Sequence, residues 1–510
     1  MNRSRKNIRR YVLWIGGIAL YLLALILLTA VESADPNASV QTLGDAFWYS
    51  LVTMSTVGYG DLYPVTAAGK VLGMVFVLLS LGMLTFVISL MIKLVTGKML
   101  PALKLWRLRK KPWFVFSCAS EEAKALAENL QQTYPEGVFL FPGEEADNGF
   151  VPYPGTMEAL AARKKGNCTL FYMDGEYEQA VQALALGHPV YCMSQLETDG
   201  VPQGLTLFNR YDCCARHYWQ NNAVTAQEKN ILLIGHGPYA QNLLTRALLV
   251  NVFGRARSVH YHVFGPWQDY RNNYHRLNET LLINENRAGQ DSLHFHECWN
   301  ADPQLLLQAD RIIVCGEDVR EDLQILTDLR KFFPVKGKVH LRSDSPIPGV
   351  SVFGMASEVF TQEMVMRRQL TVVARTMHQI YLESTGAQTP SWEELSEFLR
   401  QSNIAAADHL LTKLRILLGD DTLTDISREI CAKGHAAYRA LDAAQKDDCR
   451  RIEHDRWMRF HSLYNWEYAE KRDNSARKHP MMLPYDELSE AEQRKDEYAW
   501  ELLEQIAEKI

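Results

Sequence analysis

Two long apolar segments constrain the fold of this chain more than any other feature. Residues 11–31 form an uncharged run of 21 residues, and residues 71–92 form a second uncharged run. About 20 apolar residues are enough for a helix to cross the hydrocarbon core of a bilayer. A cleaved signal peptide is disfavoured, because the first run is too long, shows no obvious small-residue cleavage site and is followed by a second run. The pattern predicts two membrane-spanning helices, in a pore domain over residues 11–96.

Basic residues flank these segments on one side only. Residues 1–10 hold five Arg or Lys, residues 93–111 hold seven, and residues 32–69 hold none. Because positively charged flanks stay in the cytoplasm, we expect a multi-pass protein of the cell (inner) membrane with both termini cytoplasmic. Residues 1–10 are then a basic N-terminus and residues 97–111 a basic linker. Beyond residue 111 the chain has a net charge of −15. A basic, apolar N-terminal part joined to an acidic remainder (the body of the chain) argues against a simple soluble enzyme.

The loop between the apolar segments contains the most specific motif. Residues 45–55 suit a helix that is too short to cross a bilayer, and the sequence Thr56-Val57-Gly58-Tyr59-Gly60-Asp61 follows. Backbone at membrane depth must be satisfied by protein or by the contents of a cavity. We predict a re-entrant pore helix over residues 45–55. The loop after it resembles an ion-channel filter, and the resemblance implies that the glycines at 58 and 60 permit backbone angles that aim successive carbonyls at one axis. It also implies that Thr56 adds a hydroxyl and that Tyr59, with Trp48 behind it, braces the loop.

This motif resembles the signature of potassium channels, in which four such loops align carbonyl oxygens that replace the hydration shell of K⁺. The resemblance implies a homotetramer in a lipid bilayer, K⁺ as the permeant ion and residues 56–61 as the selectivity filter. Two spans leave no place for an Arg-rich voltage-sensor helix. Gly82, in the second span, is a candidate gating hinge, with packing against a neighbouring helix as the alternative.

The segment after the linker alternates short apolar runs with helical stretches, which is typical of βαβ units. The pattern repeats, since residues 113–130 align with residues 231–248 and residues 167–186 with residues 310–329. We therefore predict two α/β, Rossmann-like domains, over about 112–225 and 229–366. All nine cysteines follow residue 111, and no C-x-x-C pair occurs among them, so a reducing cytosol is the natural compartment.

A pore followed by two such domains resembles the RCK-containing potassium channels (regulators of K⁺ conductance). The resemblance implies a ring of eight Rossmann-like domains below the pore, in which ligand binding pulls on the inner helices.

The two predicted domains differ in their phosphate loops. The second has Gly235-His236-Gly237-Pro238-Tyr239-Ala240 between a strand and a helix, where a phosphate would meet the helix N-terminus. Gly235, Gly237 and Ala240 are therefore candidate nucleotide-binding residues. The next strand ends at Phe264-Gly265 without an acidic residue for a ribose, which disfavours NAD and leaves open another nucleotide or none.

The first domain has Ser117, Ala119 and Glu122 at the matching positions, with Glu121 beside them. Carboxylates at a helix start repel a phosphate, so we interpret this domain as structural. Ca²⁺ binding at the two glutamates stays open.

Histidines and a cysteine alternate along one predicted strand, at His294, His296 and Cys298. They share a face and have side chains that ligate metals. Ordinary packing is the favoured interpretation, so we predict no metal site.

The C-terminal part divides into a helical region over 367–449 and a final segment over 450–510. Within the helical region, Ser391 and Glu394 predict a capped helix start. The final segment resembles the RyR domain, the small helical repeat named after ryanodine receptors. The matching positions are His454, Trp457, Trp466, Tyr468, Arg472-Asp473, His479-Pro480, Leu483-Pro484-Tyr485, Leu488 and Lys495-Asp496. Asn465 and Ala469 stand where that family usually has glycine.

Six residues of this segment form a candidate ligand pocket: Trp457, Trp466, Tyr468, Arg472, His479 and Tyr485. Aromatic rings can stack on a base and an arginine can pair with a phosphate; the alternative is that the aromatics form the core of the small domain. We thus expect a ligand-gated potassium channel of the bacterial cell membrane, with the RyR domain as sensor of a small cytosolic ligand, such as a nucleotide of unknown identity. We expect no nucleic-acid partner and, because no nucleophile–base pair is present, no enzyme activity.

Two other functions stay open. The first is a defence or stress effector that dissipates ion gradients when an alarm nucleotide appears. The second, a membrane-anchored NAD-dependent oxidoreductase, leaves the motif at residues 56–61 unexplained.

Overall fold

The computed structural model describes residues 19–94, 100–143, 149–195, 201–255, 257–277, 290–385 and 390–509. The chain divides into two compact units, Met1–Leu108 and Arg109–Ile510, and each is described by itself.

The first unit is helical, with helices at residues 19–32, Leu43–Met54, Ala67–Leu94 and Leu100–Arg107. The helix Leu43–Met54 begins with a capping box, in which the Thr42 hydroxyl accepts from the Asp45 N–H and the Asp45 carboxylate accepts from the Thr42 N–H. The helix Leu100–Arg107 lies within residues 97–111, so the segment predicted as a linker is partly helical.

In the part of the chain that the structure describes, no helix combines the length and apolar character of a membrane span. The two membrane-spanning helices therefore stay a prediction. Gly82 belongs to the helix Ala67–Leu94, and its side-chain surroundings lie outside the described residues.

A buried carboxylate joins the ends of two helices in this unit. Glu32 is fully buried and accepts hydrogen bonds from the Val65 N–H (2.9 Å) and the Thr66 N–H (3.0 Å), as well as from the Thr66 hydroxyl. A Cβ at Gly69 would lie 1.8 Å from Glu32 Oε1. Only glycine fits there, because any side chain would displace the carboxylate.

The second unit contains two six-stranded sheets whose strand pairs are all parallel. The strands of the first are β1 Trp113–Phe116, β2 Val138–Pro142, β3 Val151–Tyr153, β4 Cys168–Tyr172, β5 Val190–Met193 and β6 Leu205–Phe208, in the order β3-β2-β1-β4-β5-β6. Its helices are Glu121–Thr133, Met157–Ala161, Tyr177–Ala183 and Arg210–Asn221, with a 3₁₀ turn at Leu184–Leu186.

The second sheet repeats this topology. Its strands are β7 Asn230–Ile234, β8 His260–Phe264, β9 Ser292–His296, β10 Arg311–Val314, β11 Lys338–Arg342 and β12 Ser351–Phe353, in the order β12-β11-β10-β7-β8-β9. Its helices are Pro238–Val250, Gln268–Asn273, Pro303–Leu307, Val319–Phe332, Ala356–Val359 and Gln362–Met366.

Both sheets have the Rossmann strand order 3-2-1-4-5-6, which confirms the prediction of two Rossmann-like domains. The repeated sequences occupy equivalent places: residues 113–130 and 231–248 form the first strand and helix of each sheet, and residues 167–186 and 310–329 contain the fourth strand. Continuous apolar runs suit these strands, because helices cover both faces of a parallel sheet.

The remaining residues form a helical region and a small C-terminal domain. Their helices are Arg368–Thr385, Glu397–Asp408, Leu410–Leu418, Arg428–Ala440, Ala443–Leu463, Glu490–Gln493, Tyr498–Glu501 and Leu503–Lys509, with 3₁₀ turns at Trp392–Glu394, Tyr485–Glu487 and Arg494–Glu497. A two-stranded pair, β13 Glu467–Tyr468 and β14 Lys478–His479, completes the fold.

Caps set two helix starts in this region. Ser391 and Glu394 do form a capping box, but it lies at the start of the 3₁₀ turn Trp392–Glu394. The helix begins only at Glu397, where Ser396 provides a second cap. The predicted boundary between residues 449 and 450 lies inside the helix Ala443–Leu463, since the capping box at Asp442 starts that helix earlier.

Candidate functional site

The residues after the helix Leu43–Met54 alternate in backbone conformation. Thr56, Gly58 and Gly60 have φ angles of 61°, 59° and 72°, whereas Val57 and Tyr59 between them are not left-handed. The Thr56 N–H donates to the Thr53 carbonyl (3.1 Å) and the Val57 N–H to the Val52 carbonyl (3.2 Å). When left-handed and other residues alternate strictly, the carbonyl groups of consecutive residues can point to the same side of the chain. A row of carbonyl ligands for a cation requires this arrangement. Threonine pays a steric penalty to adopt it, so the conformation is imposed by the surroundings.

Trp48 links this loop to the helix before it. Its Nε1–H donates to the Asp61 carboxylate (2.9 Å), and its ring lies parallel to that of Tyr59, with 6.2 Å between the ring centroids. Tyr59 is 68% exposed in the single chain, so its outer face is free for a neighbour.

The glycine-rich loop of the second Rossmann domain is packed against its own sheet. Gly235 has φ of 138°, and a Cβ there would lie 2.0 Å from the Cys315 carbonyl oxygen. A Cβ at Gly237 would lie 2.4 Å from Glu317 Cγ, so an acidic side chain covers the helix start that a phosphate would approach. Ala240 is buried in the core.

Two further features of this loop disfavour a dinucleotide. Pro238 occupies the first helical position and removes one N–H donor. The strand β8 ends at Phe264, and the chain continues as Gly265-Pro266-Trp267 with Trp267 buried. A ribose carboxylate is therefore absent from this described strand end, as the sequence indicates.

In the first Rossmann domain, one of the two carboxylates at the matching helix start is engaged. Ser120 caps the helix Glu121–Thr133, and Glu122 forms an ion pair with Arg210. The histidines on β8 and β9 also contact one another: His262 Nδ1 lies 3.0 Å from His296 Nε2, and His294 stacks on His262. Among the described residues, no group of three or more acidic, His or Cys side chains has the arrangement of a metal site.

The six candidate residues of the C-terminal domain separate into a cluster and its surroundings. Trp457 and Trp466 lie 5.0 Å and 6.2 Å from His479 between ring centroids, with His461 packed among them. Burial lowers the pKa of His461 to about 3 and that of His479 to about 4, so this cluster is a neutral core at neutral pH.

The other three candidates lie outside that cluster. Tyr485 is buried at the opposite end of the helix Ala443–Leu463, where its hydroxyl donates to Asp447 (2.9 Å). Tyr468 and Arg472 are exposed, and Arg472 donates to the Asn474 side chain (2.8 Å). Of the aromatic candidates, Trp466 lines a large cavity together with Arg472.

This cavity, of about 1050 Å³, is the feature that sequence reasoning missed. Its lining includes seven arginines against three carboxylates, and the arginines come from every part of the second unit: Arg216, Arg246, Arg367, Arg375, Arg400, Arg472 and Arg477. They belong to segments more than 200 residues apart in sequence, so no local motif could have identified them.

The floor of the cavity is a buried ion network. Asp212 accepts from Arg216 (2.8 Å), Arg367 (2.7 Å) and Arg246, and Asp408 pairs with Arg216 and Arg246. Burial would raise the pKa of Asp212, but the charges of the three arginines outweigh it and hold that pKa well below its ordinary value. Three guanidinium groups share two carboxylates, so the floor has an excess of one positive charge.

Two parts of the chain match known domain families. Residues 12–97 match the ion channel family, and residues 443–507 match the RyR domain. The chain thus combines an ion channel domain, two Rossmann-like domains and an RyR domain, which confirms the architecture that the resemblances imply. The RyR match begins at Ala443, at the start of the helix that crosses the predicted boundary.

Potassium channels are among its relatives, over short stretches. A voltage-gated potassium channel of Aeropyrum pernix is 40% identical over 74 residues, which are 14% of this chain and 22% of that channel. Human potassium voltage-gated channel subfamily A member 4 is 50% identical over 42 residues, which are 8% of this chain and 6% of that channel. The chain therefore covers less than a quarter of either relative's length. Both relatives are potassium channels.

Solved structures of the GsuK channel also align with the chain. The structure of GsuK bound to ADP covers 71% of this chain and 100% of its own, at 13% identity and a TM-score of 0.33. The structure bound to NAD covers 71% of this chain and 85% of its own, at 11% identity and a TM-score of 0.33.

Proposed function

We propose that the protein is a ligand-gated potassium channel of a cell membrane, in which four chains form one pore. K⁺ passes down its gradient along the oxygen atoms of residues 56–60, and Asp61 stands at the outer end. The cytoplasmic body regulates the pore, with the RyR domain as the sensor of a small ligand. No covalent step is involved.

The observation that supports the pore is the backbone of residues 56–60. Left-handed φ angles at Thr56, Gly58 and Gly60 allow carbonyls of consecutive residues to face one axis, where they can replace the water around a cation. A Cβ on Gly58 or Gly60 would meet nothing within 4 Å. Within one chain the constraint at these two positions is therefore the positive φ, which glycine adopts without strain.

One chain supplies one such loop, and a ring of ligands around an ion needs several. The relatives of the channel domain are potassium channels, and exposed apolar side chains surround the loop in the single chain, including Val57 and Tyr59. We infer that neighbouring copies cover these surfaces in a tetramer.

The alternative oxidoreductase function is opposed by the second Rossmann domain. Glu317 lies against Gly237, where a dinucleotide phosphate would bind, and β8 has no acidic residue at its end. A defence effector would use the same pore and differ only in its trigger, so growth arrest after production of one particular nucleotide would identify it.

The test is a planar-bilayer recording from the purified protein with K⁺ and Na⁺ on opposite sides. ATP, ADP, NAD⁺ and cyclic dinucleotides are added one at a time to the cytoplasmic side. A K⁺-selective current that switches with one of them is the expected result. A current that does not distinguish K⁺ from Na⁺ would contradict the filter, and a selective current that ignores every nucleotide would contradict the nucleotide gate.

A further inference from the structure

We infer that the arginine-lined cavity of the second unit binds a nucleotide with at least two phosphate charges, an inference that rests on the proposed ligand gating. The cavity is distinct from the glycine-rich loop at residues 235–240, which Glu317 covers. It adjoins the aromatic cluster of Trp457 and His479 through Trp466, which packs against His479 and also lines the cavity.

Charge is the first reason. The body of the chain is acidic, yet seven of the ten charged residues that line this cavity are arginines. A concave basic surface within an acidic body concentrates an anion there. Arginine also matches phosphate geometrically, because its planar fork donates two parallel hydrogen bonds.

Unused donors are the second reason. Arg246 Nε and Arg400 Nε are buried and have no acceptor among the described residues. A buried donor without a partner is costly, and both belong to side chains that line the cavity. An anionic ligand would neutralise the excess charge of the floor, and it would offer acceptors to these two Nε–H groups once the arginine side chains turn toward it.

The rim provides arginines that are free to move toward a ligand. Arg375 is 54% exposed and contacts Glu393 at 3.6 Å, a distance and exposure typical of a weak ion pair. Arg472 and Arg477 are exposed, and their described contacts are with Asn474 and with the Tyr464 carbonyl. Donors held by such neutral acceptors can be transferred to phosphate at little cost.

Aromatic side chains that could stack on a nucleotide base also line the cavity. Phe398 and Trp466 both line it, and their rings stack with 5.1 Å between centroids and planes 21° apart. Trp392 also lines the cavity, with the Arg375 guanidinium 5.6 Å from its ring centroid. Trp466 is buried, whereas Phe398 and Trp392 are partly exposed, so a base can stack on these two rings; base–aromatic stacking has little sequence preference. The volume of about 1050 Å³ lies just above the usual range of about 300–1000 Å³ for ligand pockets, so the cavity has room for a dinucleotide.

Residues with strained, left-handed backbone conformations also lie at the arginine-lined cavity. In the described chain, four non-glycine residues have positive φ: Thr56, Arg367, Asn465 and Arg477. Thr56 belongs to the proposed filter. Arg367 and Arg477 line the cavity, and Asn465 lies between the lining residues Tyr464 and Trp466. Strained residues of this kind cluster at functional sites.

The position of the cavity explains how a ligand would act. Arg216 belongs to the first Rossmann domain, Arg246 to the second, Arg375 to the helical region and Arg472 to the RyR domain. One bound nucleotide would contact all four parts and favour the arrangement in which they lie closest together. The RyR domain then contributes one wall of the sensor, and its aromatic core supports that wall.

The experiment is calorimetric titration of the full-length protein in detergent with ATP, NAD⁺ and cyclic di-AMP in turn. Wild-type protein should bind at least one of them. The double variant Arg375→Gln/Arg472→Gln should bind it about 100-fold more weakly, at about tenfold for each charged hydrogen bond lost. The matched control is Arg494→Gln, an exposed arginine of the same RyR domain that pairs with Glu490 outside the cavity; its affinity should equal that of the wild type.

Two results would overturn the inference: no binding of any of the three nucleotides, or binding that the double variant retains. Both substituted residues are on the rim, so the variant should keep the wild-type melting temperature; if it does not, Arg375→Gln alone serves the same comparison. Because calorimetry needs no current, nucleotide binding without K⁺ current would contradict the proposed channel and not the site. A K⁺ current without nucleotide binding would contradict only the site.

Discussion

The ring of Trp48 lies parallel to that of Tyr59, with the two planes 2° apart. Trp48 belongs to the short helix Leu43–Met54 and Tyr59 to the loop of alternating backbone conformation, so this stack fixes the loop to the helix. The hydrogen bond from Trp48 to Asp61 adds a second attachment two residues further along. The loop is thus held at both sides of Gly60, which otherwise has the most freedom.

The first prediction concerns that second attachment. Trp48→Phe keeps an aromatic ring against Tyr59 and removes the Nε1–H donor, so we expect the open, conducting state to last about tenfold less time, the usual effect of losing a hydrogen bond to a charged group. Asp61→Asn keeps an acceptor and should have a smaller effect. Sustained single-channel recording measures both; an unchanged open lifetime in Trp48→Phe would show that the stack alone holds the loop.

The second prediction separates conformation from space at Gly58. Gly58→Ala has room for its methyl group but must adopt φ near 59°, at a cost of about 1–2 kcal/mol per chain. We expect the tetramer to form and K⁺ current to be lost. Gly44→Ala is the control, because its Cβ would make an ordinary contact, 3.5 Å from Thr42 Oγ1, within the helix Leu43–Met54. If current survives Gly58→Ala, residues 56–60 do not line the pore.

The third prediction concerns a buried ion pair at the junction of the two Rossmann domains. Arg311 Nη2 and Nε donate to the two Glu228 carboxylate oxygens (2.7 Å and 2.9 Å), and Arg311 also donates to the Asn222 and Ala223 carbonyls. Arg311→Met strands a buried carboxylate and should cost about 3–5 kcal/mol.

Lys338→Met is the matched control, since Lys338 approaches the same carboxylate at 3.7 Å from an exposed position. It should cost less than about 1 kcal/mol. Urea unfolding of the body, followed by tryptophan fluorescence, compares the two. Equal losses for both variants would mean that burial does not decide the strength of the Glu228 pairs.

The fourth prediction is a loss of stability in acid. Burial and the nearby charge of Lys413 lower the pKa of His409 from 6.5 to about 3, and its Nε2–H donates to the Val252 carbonyl (3.0 Å). Because the unfolded state takes up the proton first, this histidine's contribution is complete above pH 6.5 and declines by about 1.4 kcal/mol per pH unit as the pH falls toward 3.

His409→Gln retains an N–H donor and cannot be protonated, so its melting temperature should fall less than that of the wild type between pH 7 and pH 5. The exposed His275→Gln should follow the wild type. Parallel curves for all three proteins would mean that His409 is not buried as a neutral imidazole.

The Rossmann topology could be predicted because its signal is local and repeated. Each strand is a short apolar run, each is followed by an amphipathic helix, and the second set repeats the first. The helix boundaries were less predictable. Ser391 and Ser396 are both good caps five residues apart, and only the packing of the helix Glu397–Asp408 decides which of them starts it.

The candidate sites also depend on contacts between distant residues, which the local sequence does not predict. The glycines at 235 and 237 match a phosphate loop, yet Glu317, from the end of a different strand, occupies the space that the motif leaves. The pattern of aromatic residues in the RyR domain was clear, but the structure packs Trp457, Trp466 and His479 against one another and buries Trp466 and Tyr485, so these aromatic side chains form part of the domain core. Asn465, where the family has glycine, adopts the left-handed conformation (φ 59°) that asparagine tolerates better than most residues.

The sequence by itself determined the kinds of domain in this chain and their order, because apolar runs, the motif at residues 56–61 and the RyR residues act through neighbours in sequence. Only the tertiary structure decided which arginines meet. Arg216, Arg246, Arg367 and Arg472 are distant in the chain, and each alone looks like an ordinary surface cation. They converge because parallel sheets and packed helices bring remote segments together. Their electrostatic interaction with one another and with an anion becomes strong only at such short distances.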